Sequence, residues 1–180
     1  MRLNHTHLFH KIINREFTCG FLLYNKAMGI KSWTDYFLDL AKTCSSRSNC
    51  LRAQVGAVIV GQDKKIKATG YNGTPSGVES CYERGECYRI KNKIPSGTCY
   101  ETCRSIHAEQ NAIIQAGQDR CTGASMYIYG HNFICILCKR FIVQSGIVDV
   151  YLKKDDNAPI LHVSVEDIRR ELENPQVVNQ

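Results

Sequence analysis

His107, Ala108 and Glu109 stand together in the chain, and about 28 residues later come Cys135 and Cys138, two thiols with two residues between them. One imidazole nitrogen and two thiolate sulfurs make a donor set for tetrahedral zinc. Three protein ligands leave a fourth position for water, which separates a catalytic zinc site from a closed structural one. The spacing therefore predicts His107, Cys135 and Cys138 as the ligands. Thiols at i and i+3 share one side of a helix, and in its first turn the free N–H groups and the positive dipole end stabilise thiolates. Glu109 is left over, close enough along the chain to reach a water at the metal without being a ligand, so its carboxylate is the expected acid/base. The predicted chemistry is hydrolytic: zinc acidifies a water, Glu109 takes the proton, and hydroxide attacks a carbon.

Each half alone says little. A Cys-x-x-Cys pair in a cytosolic protein also marks a redox pair or half of a structural zinc site, and a lone His-x-Glu carries almost no information. Their order, on two expected helix starts separated by one strand, is specific, and it favours the catalytic reading.

The elements that must position these residues can be read from periodicity. Ser32 is suited to cap a helix in which Trp33, Tyr36, Phe37 and Leu40 recur at three- and four-residue intervals and form a core-facing stripe. Residues 54–60 read as a buried strand, with 65–71 as its hairpin partner across the turn at 61–64. Residues 72–103 are rich in Gly, Pro, Ser and Cys with little periodicity, and a stretch of that kind needs something to fix it; Cys81, Cys87, Cys99 and Cys103 suggest a metal. A helix over 105–116 ended by Gly117, a strand over 125–129, a helix over 136–144, a strand over 147–152 and a last helix over 165–172 follow. Strand, helix, strand implies a right-handed parallel crossover. The expected fold is α/β, a three-layer α/β/α sandwich with a mixed central sheet.

At 180 residues the chain suits one domain. A hydrophobic content of 43% and a charged content of 22% are ordinary, and no run approaches the ~20 apolar residues of a membrane span, so a membrane protein is excluded. Twenty-three Lys and Arg against 17 Asp and Glu give a net charge of +6, but the basic residues are scattered, so no nucleic-acid partner is expected; a phosphorylated small molecule would still be attracted. Ten cysteines fit either a secreted disulfide framework or metal ligands in a reducing compartment. Residues 1–29 carry five charges and only a short apolar patch at Phe21-Leu-Leu, unlike a signal peptide, which places the protein in the cytoplasm. Residues 1–31, with His5, His7, His10 and Cys19 in no recognised metal spacing, read as an N-terminal extension, disordered or preceding a true start at Met28. The domain proper is expected over 32–174 and a frayed tail over 175–180.

His-x-Glu followed by Pro-Cys-x-x-Cys is a zinc-deaminase signature, in which hydroxide attacks the ring carbon bearing an exocyclic amine and the glutamate returns protons to the ring nitrogen and to the departing ammonia. Ile134 stands where the proline would fix the chain's approach to the second helix. From about Ser32 to about Leu152 the sequence resembles the cytidine and deoxycytidylate deaminase superfamily, and within it the bacterial or archaeal dCMP-deaminase type. The resemblance is carried by Trp33-Thr-Asp-Tyr-Phe, Arg47-Ser-Asn-Cys-Leu-Arg-Ala-Gln-Val-Gly-Ala-Val-Ile-Val, Gly70-Tyr-Asn-Gly-Thr-Pro-Ser-Gly, Cys103-Arg-Ser-Ile-His-Ala-Glu-Gln-Asn-Ala-Ile and Gln144-Ser-Gly-Ile.

That resemblance implies a cytidine deaminase-like fold and deamination of dCMP to dUMP and ammonia, feeding thymidylate synthesis. It implies that Asn72 lines the nucleotide pocket with Ala108 and that Arg47 lies near the phosphate; a turn at Asn72-Gly73 and a plain surface charge at Arg47 are the blander readings. It also implies a second, structural zinc on Cys50, Cys81, Cys87 and Cys103, with Cys99 as a competing ligand, while Cys19, Cys44 and Cys121 read as ordinary thiols. A homo-oligomer, commonly a hexamer, and control by dCTP and dTTP follow from the same likeness. The competing readings are a deaminase of another cytosine nucleoside, base, pterin or nucleic acid, and an inactive zinc-stabilised interaction protein associated with DNA uptake. An idle site has no physical need for Glu109, which argues against the last.

Overall fold

Gly56-Ala-Val-Ile-Val is apolar at every position, a pattern that suits a strand covered on both faces, and it forms the interior strand β1 (Gly56–Val60), buried throughout. The structure, a computed structural model, describes residues 29–174. It divides between Trp33 and Thr34; of the first unit only 29–33 are described, and the second carries everything considered below. The rest of the expected N-terminal extension and the expected tail at 175–180 lie outside the described residues.

β1 pairs antiparallel with β2 (Ile66–Tyr71), across a turn in which Lys64 takes φ 59°, and on its other side with β3 (Ser125–Tyr129). β3 runs parallel to β4 (Asp149–Lys153), and β4 pairs antiparallel with β5 (Leu161–Ser164), giving the order β2-β1-β3-β4-β5. β5 is an addition to the strands read from sequence. It is short, and two of its four residues, Leu161 and His162, are exposed, so it lacks the alternating apolar signal of a half-buried strand.

The helices are α1 (Trp33–Ser45), α2 (Cys81–Arg84), α3 (Tyr88–Lys91), α4 (Ala108–Ala116), α5 (Gln118–Cys121), α6 (Ile136–Ser145) and α7 (Val165–Glu173). Strand alternation decides which face each covers. Ala57, Ile59, Met126, Ile128, Val150 and Leu152 point into one core together with Ala112 of α4, Ile142 of α6 and Ile168 of α7. Val58, Val60 and Tyr127 point the other way, into a smaller core with Phe37, Leu38 and Ala41 of α1. This is the expected three-layer arrangement.

The stripe expected on α1 is rotated. Trp33 and Tyr36 are 56% and 43% exposed, and Phe37, Leu38, Ala41 and Ser45 face the sheet instead. The cause is close approach: a Cβ on Gly56 would lie 2.0 Å from the Ala41 carbonyl oxygen, so only small residues fit where the helix crosses β1.

The same device seats α4. A Cβ on Gly70 of β2 would lie 2.3 Å from the Ala108 carbonyl oxygen and 2.5 Å from the Ala112 nitrogen, so this glycine lets the first turns of α4 rest on β2. Residues 72–103, expected to be structureless, contain α2, α3 and a 3-10 turn at Tyr100–Thr102. They are anchored where Gly73 and Ile106 exchange backbone hydrogen bonds of 3.1 and 2.9 Å. Asn72 therefore ends a strand, and Asn72-Gly73 is not a turn. Among the described residues no helix is long and apolar enough to cross a membrane.

Candidate metal centre

Two helices begin at the same place. His107 is the residue before α4, with φ −74° and ψ 156°, and its backbone N–H donates to the Gln110 side-chain oxygen at 3.0 Å. Cys135 occupies the corresponding position before α6, and its sulfur accepts from the Cys138 backbone N–H at 3.4 Å. Extended backbone at each of these positions turns the side chain back over its own helix start, where unpaired N–H groups lie.

The His107 Nδ1 lies 3.3 Å from the Cys135 sulfur and 3.4 Å from the Cys138 sulfur. All three donor atoms fall within 4.8 Å of one another, the one His/Cys/Asp/Glu cluster of that kind among the described residues. Zinc bonds of about 2.3 Å to sulfur and about 2.0 Å to nitrogen at tetrahedral angles put such ligands about 3.5 Å apart, so these residues fit the metal with little movement. Ile134, in the proline position, is 6% exposed and part of the larger core, so burial rather than a locked φ fixes the approach to α6.

The thiols are strongly polarised. A hydrogen bond from Cys138, and then one from His107, hold the Cys135 thiol far below the ordinary thiol range. Cys138 is pushed up by its bond to Cys135 and by burial. The pair thus gives up its first proton readily and holds the second, until a cation takes that proton's place. His107 is raised overall: burial opposes its charge, but the bond to Cys135 and the Glu109 carboxyl outweigh it.

Glu109 sits in the first turn of α4 and is 3% exposed. Burial pushes its carboxyl well above the usual range, with the His107 charge pulling the other way. A carboxyl that gains and releases a proton near neutrality beside a three-ligand metal set is the equipment of a proton shuttle.

One cavity joins these groups to others. His107, Ala108 and Glu109 line it, and so do Asn72, Arg52, Arg89, Tyr100 and His131. Asn72 is 7% exposed; its amide donates to the Ala53 carbonyl and accepts from the Val55 N–H, each at 2.8 Å, which ties the end of β2 to the start of β1. The Tyr100 ring stands edge-on to the His107 imidazole at 4.7 Å, and the Arg89 guanidinium lies 4.7 Å from the centre of the Tyr100 ring. Burial, and then the charge of His107, lower the His131 pKa.

Sequence reasoning missed Arg52, Arg89, Tyr100 and His131 as site residues. Arg89 and Tyr100 lie in the stretch without periodicity, and only the position of His131, just ahead of Cys135, carried a signal.

The remaining expected residues fall elsewhere. Arg47 is exposed and lines an adjoining groove that shares Cys50, Arg52 and Ala53 with the cavity, so it does not meet the metal ligands. Cys50, Cys81, Cys87 and Cys103 line the cavity too, but their sulfurs are not gathered as tightly as the first set. Cys99 is exposed, with φ 47°. Cys121 is buried and Cys44 half-buried, as ordinary thiols.

The profile of the cytidine and deoxycytidylate deaminase zinc-binding region matches residues 31–154. The deoxycytidylate deaminase of Schizosaccharomyces pombe is 40% identical over 119 residues, 66% of this chain and 36% of that protein; the chain thus spans about a third of that relative's length. The deoxycytidylate deaminase of Mycobacterium phage D29 is 34% identical over 133 residues, 71% of this chain and 99% of that protein. The crystal structure of cytidine deaminase from Burkholderia pseudomallei superposes with a TM-score of 0.52 at 16% identity, over 74% of this chain and 94% of that one, a likeness of fold.

Proposed function

This chain belongs to the cytidine and deoxycytidylate deaminase family, and on that premise we propose that it hydrolyses dCMP to dUMP and ammonia. The observation that carries the proposal is the His107 nitrogen 3.3 and 3.4 Å from two sulfurs, with a buried carboxyl two residues further on. Zinc held by His107, Cys135 and Cys138 supplies Lewis acidity that brings a water within reach of deprotonation at neutral pH.

Glu109 accepts the proton of the attacking water and passes it to the ring nitrogen next to the reacting carbon. It then takes the remaining hydroxyl proton and delivers it to the amine, which leaves as ammonia while the carbonyl forms. Asn72 and Ala108 form the wall against which the nucleotide lies, and Arg47, on the groove outside, draws the anion toward the mouth. Tyr100, packed on the imidazole, restricts its rotation and excludes water.

The same reading includes a second, structural zinc on Cys50, Cys81, Cys87 and Cys103. Burial raises the Cys81 thiol first, and Cys87, Cys50 and Cys103 raise it further, which supports their nearness. The Arg52 N–H donates to the Cys50 sulfur at 3.4 Å. A homo-oligomer is supported by exposed Ile114, Ile136 and Phe141, apolar residues on α4 and α6. Cytoplasmic residence suits thiols that are unpaired at every described cysteine. Control by dCTP and dTTP completes the proposal.

Zinc-loaded protein is to be offered dCMP, CMP, deoxycytidine, cytidine and cytosine, and the loss of cytosine absorbance followed. Turnover of dCMP that is strengthened by dCTP and weakened by dTTP is the expected result. A loaded protein that leaves the whole panel untouched ends the proposal. Metal analysis distinguishes two zinc ions per chain from one.

A further inference from the structure

Arg89 is a cation in the cavity wall with no anion of its own. It is 4% exposed, and among the described residues no carboxylate forms an ion pair with it. One guanidinium nitrogen is spent on the Pro95 and Thr98 carbonyl oxygens, while Nε is buried with no hydrogen-bond partner. Arg52, also on the cavity wall, is tied to the same turn through the Ile94 carbonyl at 2.9 Å. The one carboxyl lining the cavity is Glu109, which burial holds toward its neutral form. The wall is therefore positive, and a buried guanidinium with an unused donor is stable only when an anion completes it.

Resting on the deaminase reading, we propose that Arg89 is the residue that recognises the 5′-phosphate of the bound nucleotide, with Arg52 beside it in the same role, and so sets the preference for a nucleotide over a nucleoside. A planar guanidinium offers paired donors to phosphate oxygens. Its fixed place over Tyr100, whose ring touches His107, puts the charge at a constant separation from the reacting end of the substrate. Arg47, exposed on the outer groove, attracts the anion but does not select it.

The test is equilibrium binding of the products dUMP and deoxyuridine to zinc-loaded protein by calorimetry, with inorganic phosphate as competitor. In Arg89→Met the affinity for dUMP falls about 10- to 100-fold, the loss expected for a charge-assisted hydrogen bond. Deoxyuridine affinity stays within about threefold, and phosphate ceases to compete. Arg89→Lys, which keeps the charge but loses the paired donors, lies between the two and serves if the methionine variant does not fold.

Equal losses for dUMP and deoxyuridine, or zinc lost from the Arg89 variants, would make Arg89 a support of the loop and overturn the proposal. Unchanged dUMP binding overturns it as well. If wild-type protein binds neither product yet binds inorganic phosphate through Arg89, the anion site stands and the deaminase reading fails.

Discussion

At the scale of the residue, the centre separates ligands from proton carrier. Glu109 touches the ligand sulfur Cys138 but does not complete the donor cluster. Glu109→Gln is therefore expected to bind zinc with unchanged stoichiometry while dCMP turnover drops by about 10²- to 10⁴-fold, the usual worth of a general acid/base. Metal analysis beside initial rates checks both halves, and zinc loss in this variant would make Glu109 a ligand. By contrast, Cys138→Ala, which removes a fully buried sulfur, should lose zinc and activity together. These residues were legible in the sequence because their chemistry is local: three donor types at fixed spacings around two helix starts. Arg89 and Tyr100 were not, since they reach His107 only through the folding of a stretch whose composition shows no period. Arg47 was legible as a family likeness, and the structure puts it outside the cavity.

At the scale of the element, α4 carries both His107 and Glu109, and its seat on β2 depends on the missing side chain of Gly70. Gly70→Ala places a methyl 2.3 Å from the Ala108 carbonyl. It should cost about 1–3 kcal/mol of stability, as overpacking does, and lower turnover, read by denaturant melts and rates at equal zinc loading. A variant as stable and active as wild type would show that α4 can shift freely.

On the other face, Lys42 of α1 bonds Asp156 at 2.6 Å, and the Tyr129 hydroxyl donates to Asp156 at 3.0 Å, fastening α1 to the segment between β4 and β5. The Lys42 bond, followed by the Tyr129 bond, lowers the Asp156 pKa from 3.8. A depressed carboxylate stabilises the fold above its unfolded pKa and loses that contribution as pH falls through the folded value. Asp156→Asn is thus expected to lower the melting temperature at pH 7 and to match wild type once pH is below about 3. Added salt should shrink the difference, because the pair is exposed. The strands and helices were mostly readable, β3 to the residue. The rotation of α1 and the existence of β5 were not, because one depends on a glycine in another strand and the other on pairing rather than on its own pattern.

At the scale of the whole molecule, the sheet, the helix starts and the metal form one thermodynamic unit. The deaminase zinc joins α4 to α6, two elements that meet the same core, so chelation should lower the melting temperature and make it depend on free zinc concentration. A melting temperature indifferent to chelator would mean that the helices hold the three donors in place unaided. The parallel pairing of β3 with β4 fixes where α6 begins, and β2 fixes where α4 begins. Residues 72–103, which bear Arg89 and Tyr100, fix neither. The reaction centre and the selector are thus built on different parts of the chain, and exchange of the long insert between relatives should retune what is accepted while leaving the bond-breaking step intact, a division of labour on which altered substrates could be engineered.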